Sequence, residues 1–246
     1  MEDRELELSE HLAELRTRLI RCVIYVSLGV VVTWILYDRI YGFVAGPVIT
    51  ILDQTGNKFM VTRIAEGFML RCHISLITGI ILTSPLITFE IWGFVTPALT
   101  KAEKQPIKWI APLCVLLFAG GVAVGYSIIP TTMKFLISYV PPGAEARLTV
   151  ADNLVFIVKM LLAFGIVFEL PVILLFLGKL GLVNSKTLIS GWRYAVVGIA
   201  ILAAVITPSG DLFTMMSMAV PVTFLYAVSI LMVRLVEEKP QPKEKK

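Results

Sequence analysis

The sequence predicts an all-α membrane protein with six transmembrane helices, and three observations carry that prediction. The 246 residues are 57% hydrophobic and only 16% charged, where soluble domains run at about 45–50% apolar and about 25% charged. Uncharged stretches on the scale of a bilayer crossing recur along the chain, since a hydrocarbon core of about 30 Å takes about 20 helical residues. Lysines and arginines gather on alternate connecting segments. This composition excludes a water-soluble enzyme, which would expose too much apolar surface, and intrinsic disorder. Three scattered cysteines, Cys22, Cys72 and Cys114, give no basis for a disulfide scaffold.

The chain opens MEDRELELSEHLAELRTRLIR, too acidic for a secretory leader, which begins with a positive region running straight into a short apolar core. The first span is therefore expected to be a permanent anchor. Residues 1–18 read as a cytoplasmic amphipathic helix. Leu8, Leu12, Leu15 and Leu19 recur at three- and four-residue steps, Glu7, Glu10 and Glu14 line another face, and Arg18 stands four residues beyond Glu14. The first span covers residues 22–37 and reaches back through Leu19 and Ile20, with Arg21 snorkelling. Residues 72–89 are the second. Residues 109–133 are the third, with Pro112 where a helix start tolerates it and Pro130 marking the end. The fourth is split, residues 160–168 and 170–178 flanking Glu169. Residues 194–206 make a fifth span of only about 20 Å, and after a turn at 207–211 the sixth runs over 212–233, so that helices five and six form a short hairpin.

Six spans place both termini on one side. Of the 22 lysines and arginines, fifteen fall on the N-terminus, the segments after spans two and four, and the tail; seven fall on the other side. The positive-inside rule then puts both termini in the cytoplasm. The net charge of +4 is a sidedness signal, and because the basic residues are not interleaved with aromatics no nucleic-acid partner is expected. Residues 38–71 and 130–158 become first and second external loops, apolar enough to form partly ordered caps, and 236–246 a solvated cytoplasmic tail. The whole of 1–246 reads as one integral membrane domain without an internal repeat.

The usual catalytic patterns are absent: no HExxH, GxSxG, Walker A or CxxC occurs, and His11 and His73 fall on opposite sides of the membrane. Polar groups in awkward places remain. Glu14 is either part of a solvated interfacial helix or an acidic patch for a cationic ligand. Glu103, among Lys101 and Lys104, is a poor solubility device. Phe89, Trp92 and Phe94 form an aromatic cluster between Pro85 and Pro97, of which Trp92 and Phe94 read as interfacial belt residues. Glu169 costs at least about 2.5–3.5 kcal/mol near the bilayer centre unless it is neutral, paired or wet, and Pro171 just after it withholds a donor from the Val167 carbonyl, favouring a kink. A structural polar clamp and a functional site are equally open for Glu169, including a relay in a proton-coupled small-molecule transporter. Asp211 suits the N-cap of the sixth helix.

Four separated segments together resemble one family. SEHLAELRTRL (9–19), SPLITFEIWGFVTPALTKAEK (84–104), AFGIVFELPV (163–172) and ITPSGDLF with a downstream AVP (206–213 and 219–221) resemble, in order and spacing, the signature segments of TatC. This is the polytopic core of the twin-arginine protein translocase. The resemblance implies a cupped six-helix bundle in the cytoplasmic (inner) membrane, with no catalytic residue, metal or cofactor. It implies that Glu14 and Glu103 bind the twin arginines of folded substrates' signal peptides, with Arg16, Phe94, Pro97 and Leu99 shaping that surface. Glu169 matches the family's membrane-embedded glutamate, expected to be largely protonated and to meet a polar group of the signal peptide or of a partner helix. Pro47 matches a position in the first external loop and Asp211 one in the last turn. Met215 stands where the family often has glutamine, so partner docking along helix six is expected to rely more on packing. The implied partners are TatA-type and TatB-type single-span proteins and further copies of the chain, with transport driven by the proton-motive force.

Overall fold

The computed structural model describes residues 2–95, 101–141, 147–207 and 211–236; for residues 2–9, 58, 101–109, 147 and 236 the backbone alone is described. The chain forms two compact units, Met1–Ile166 and Val167–Lys246. The first holds α1 (Glu2–Ile35), α2 (Tyr37–Thr55), β1 (Lys58–Met60), α3 (Glu66–Val95), α4 (Lys101–Ser138), β2 (Arg147–Thr149) and nearly all of α5 (Val150–Val167). The second holds α6 (Leu170–Lys179), α7 (Ser185–Ser190), α8 (Trp192–Ile206) and α9 (Leu212–Val236). Among the described residues, five helical stretches are long and apolar enough to cross a membrane, namely Glu10–Ile35, Glu66–Val95, Ile110–Ser138, Val150–Lys179 and Leu212–Leu235; α8 is a sixth, shorter apolar helix.

In the first unit the N-terminal amphipathic segment and the first span are one helix of 34 residues. Nothing between Leu8 and Leu28 is glycine or proline, so polar turns pass into the span without a break. This helix packs antiparallel against α3 at backbone contact. A Cβ on Gly29 would lie 2.8 Å from the Gly79 carbonyl oxygen, and one on Gly79 would lie 2.8 Å from the Val30 nitrogen. One turn along, the Thr33 hydroxyl donates to the Ser75 carbonyl at 2.7 Å. Lipid gives apolar helix faces no hydrophobic reason to associate, so small residues that admit the two backbones supply the contact instead.

The segment between the first two spans, expected from the sequence as the first external loop, is largely helical. In α2, Val44, Ala45, Val48, Ile51 and Leu52 are buried on one face, an amphipathic pattern, and the helix stops at Gly56, whose φ of 70° suits glycine. Tyr126 of α4 stacks on Phe43 at 4.5 Å and donates to its carbonyl at 2.9 Å. At the α1–α2 junction the Arg71 guanidinium lies 4.8 Å over Trp34 and 4.9 Å over Tyr37 while donating to the Trp34 carbonyl. The segments before α3 and after α4 are knitted by strands that an all-α expectation omits. β1 pairs parallel with β2, Phe59 opposite Leu148, and three-residue strands are too short to display a period of two in sequence. Glu66, buried at the start of α3, accepts from the Thr62 and Arg63 amides, the Thr62 hydroxyl and the Ala151 amide at 2.7–3.2 Å.

Pro130 does not end α4, contrary to the reading of the sequence. The helix continues to Ser138 because the missing amide forfeits one bond, to the Tyr126 carbonyl, while Ile129, Thr132 and Met133 are buried on both sides of it and their packing carries the helix onward. The fourth span does break where the sequence predicts, at Phe168 and Glu169. Pro171 sits in the first turn of α6, where its lack of an N–H costs nothing.

In the second unit Asn184 caps α7, accepting from the Thr187 amide at 2.7 Å, and the buried Tyr226 hydroxyl of α9 donates to the Leu188 carbonyl. Helix five is short as expected, 15 residues in α8, or about 22 Å. Helix six is not short: α9 runs 25 residues straight through Pro221.

Two measurements check this packing. Gly79→Val is expected to lower the thermal unfolding midpoint in detergent, at a cost of about 1–3 kcal/mol for overpacking. Gly120→Ala, whose methyl would meet nothing within 4 Å, should stay within about 0.5 kcal/mol of the parent; equal midpoints for the two variants would refute the close approach. Glu66→Ala removes one charged acceptor from several donors, a loss of about 1.5–3 kcal/mol for such bonds, and should render residues 56–65 sensitive to protease added on that side. Unchanged cleavage would show that Glu66 does not hold the two loops together.

Candidate functional site

On α1, residues 14, 18, 21 and 25 follow one another at steps of four, three and four, so their side chains share a face. The helix contact fixes what that face meets. As α1 is followed back from Thr33 to Gly29 to Arg18, α3 is met at Ser75, Gly79 and Glu90, equal steps in opposite directions. Arg18 bridges two carboxylates. Its Nε and Nη2 donate to Oε1 of Glu14 at 2.9 and 2.7 Å, and its Nη1 donates to Oε2 of Glu90 at 3.0 Å and to the Glu90 carbonyl at 3.4 Å. Glu90 also accepts from the Tyr25 hydroxyl at 3.3 Å and faces Arg21 at 3.7 Å. Gly93, one turn beyond Glu90, makes the guanidinium's seat possible, because a Cβ there would collide with Arg18 Nη1.

The two carboxylates differ in exposure. The Glu90 side chain is 11% exposed and Glu14 33%, so Glu90 needs its three partners to offset desolvation, whereas Glu14 remains reachable from water. Ala13, Glu14, Thr17, Arg18 and Arg21 line an open depression of about 360 Å³. His11 lies 4.0 Å from the outer oxygen of Glu14 and stacks on Phe94 with ring centroids 4.3 Å apart. Phe94 is therefore seated against α1, and Trp92 donates to the Cys114 sulfur of α4 at 3.2 Å; of the three clustered aromatics, Phe89 is the one exposed. Chemically, the surface can hold a planar cation by paired N–H donors.

Among the residues singled out from sequence, Glu14 and Phe94 come together here through His11. Arg16, two residues from Glu14 and so about 200° around the helix, is exposed on another face. Pro97 and Leu99 lie outside the described residues, and Glu103 sits in the first turn of α4, where the backbone alone is described. Pro47 is half-buried inside α2 beside the buried Val48. In the second unit, Glu169 is half-buried at the N-cap position of α6, with no side-chain cap bond. Asp211 accepts from the Thr214 amide and hydroxyl at 2.7 Å, the geometry of an N-cap. Met215 is half-buried on α9, its amide on the Asp211 carbonyl. Glu90 is the residue that sequence reasoning passed over. The sequence marks it only as a carboxylate directly after an apolar run; the arginine it meets is set by the α1–α3 register.

Known proteins agree with this architecture. The family model described as TatC, Sec-independent protein translocase protein, matches residues 10–221. A Sec-independent protein translocase protein TatC of Desulforapulum autotrophicum is 35% identical over 244 residues, covering 99% of this chain and 90% of that protein. The chloroplastic TATC protein of Arabidopsis thaliana is 33% identical over 235 residues, 95% of this chain and 68% of that one. A crystal structure of the twin-arginine translocase receptor TatC in DDM superposes with a TM-score of 0.82 at 30% identity, covering 91% of this chain and 99% of the other. The chain belongs to the TatC family of Sec-independent protein translocase proteins and is a multi-pass membrane protein of the translocation core.

Proposed function

We propose that the chain recognises twin-arginine signal peptides at the cytoplasmic face of the inner membrane and, with TatA-type and TatB-type single-span partners and further copies of itself, exports folded proteins using the proton-motive force. The observation that carries this reading is that Glu14, on an open depression, already holds a guanidinium by two N–H donors. An incoming arginine asks for that same contact, and a carboxylate takes it in a forked geometry that lysine does not supply. Glu103 serves as the second carboxylate, Phe94 and His11 form an aromatic wall, and Arg16, Pro97 and Leu99 contribute to the surrounding surface.

The apolar part of the signal peptide inserts toward Glu169, whose carboxyl group meets one polar group of the peptide or of a partner helix. Partners pack along α8 and α9, with Met215 contributing apolar contact where the family often has glutamine. Pro47 shapes α2 in the first external loop. The excess of basic residues supports both termini being cytoplasmic.

Export of a folded reporter with a twin-arginine signal, in cells lacking their own translocase core, tests this reading. Wild type is expected to restore export, and Glu14→Ala or Glu103→Ala to reduce it about tenfold or more, the scale of a lost charge-assisted hydrogen bond. Wild-type levels with both substitutions would remove the site assignment, and failure of wild type to rescue would remove the function. Glu169→Gln, a neutral isostere, should retain more export than Glu169→Lys; equal export from the two would show that the charge at this position is immaterial.

A further inference from the structure

We propose that Arg18 is an internal competitor for the arginine-binding carboxylate, a guanidinium carried by the chain itself that a ligand must displace from Glu14. The inference rests on the reading of Glu14 as a ligand-binding residue. The seat of Arg18 is built from three sides. Glu14 takes Nε and Nη2, Glu90 takes Nη1 by its side chain and backbone carbonyl, and the missing Cβ of Gly93 leaves room for that nitrogen. This is the contact set that a substrate arginine would seek.

The seat is occupied but not closed. Arg18 and Glu14 both line the open depression, their side chains 22% and 33% exposed, so the pair exchanges against solvent and is not locked. Glu90 gives the displaced side chain somewhere to remain. Arg18 can swing off Glu14 while Nη1 keeps its hold, and Arg21 and Tyr25 continue to compensate Glu90. Releasing Glu14 therefore strands no buried charge.

A built-in occupant weakens every ligand by the same factor, the fraction of molecules in which Glu14 is free. The ratio of affinities for arginine and lysine is set by the carboxylate's preference for a fork over a point charge. The competitor sets where that ratio falls relative to working concentration. A paired-arginine signal still displaces Arg18, and a paired-lysine signal, weaker to begin with, drops below useful occupancy. Arg18 is thus a threshold-setting residue.

The test is peptide binding to the full chain in lipid nanodiscs, by anisotropy of a labelled synthetic signal peptide carrying Arg-Arg and its Lys-Lys counterpart. Arg18→Gln removes the competitor. Arg18→Lys keeps a cation beside Glu90 and gives up the forked grip on Glu14. Both variants are expected to bind both peptides about fivefold more tightly, the scale of a partly exposed ion pair, with the Arg-to-Lys ratio unchanged. Unchanged or weaker binding in both variants would overturn the proposal and make Arg18 a positioning residue for Glu14. Glu14→Gln separates the two levels. If it weakens binding while the two Arg18 variants match wild type, only the competitor fails. If it binds both peptides as wild type does, the underlying reading of Glu14 fails with it.

Discussion

The backbone contact of α1 and α3 at Gly29 and Gly79 is the constraint on which the first unit depends. Two helices that touch at backbone distance cannot slide or roll without driving a carbonyl into a neighbouring chain, so their register is fixed at one level and propagates as a rigid lever. Two turns or more away, that register decides that Arg18 reaches Glu90 and that Gly93 faces its guanidinium. The hydrogen bond from Thr33 to the Ser75 carbonyl serves the same end. Where lipid surrounds the pair, such a bond has no water to compete with it, although measured values for interhelical bonds in membranes average only about 0.6 kcal/mol. Shape therefore fixes the register more firmly than polarity does.

Electrostatics at the end of this lever follow from depth. Glu90 is nearly enclosed and surrounded by Arg18, Arg21 and Tyr25, while Glu14 is a third exposed. The inner carboxylate is committed to structure and the outer one stays reachable from water. One arginine joins them, so the exposed carboxylate and the helix interface form a single network, whose members are not expected to contribute additively.

Much of this was legible in the sequence. The spans, the split at Glu169, the short fifth helix and the capping role of Asp211 all follow from uncharged run lengths, a proline and a turn residue, which are local signals. Glu14 with Arg18 was legible too, because a four-residue spacing on a helix is a contact. Glu90 was not, since nothing within α3 reveals which arginine lies opposite; only the glycine register does. The β1–β2 pairing was hidden for the same reason, its partners being remote in sequence. Pro130 misled by the opposite route. A proline is a local breaker, and burial of Ile129, Thr132 and Met133 overrides it.

The parallel pairing of β1 with β2 also bears on the order of assembly. β2 lies after α4 in the chain, so a polypeptide threaded into the membrane from its N-terminus has placed α1 to α4 before this pair can close. Closing it ties Lys58 to Arg147 and makes α3 and α4 the two arms of a single closed loop of chain, with Glu66 fastening the Ala151 amide beside it. The strands contribute little contact area, yet they act as a latch on connectivity, holding the outer ends of both arms together.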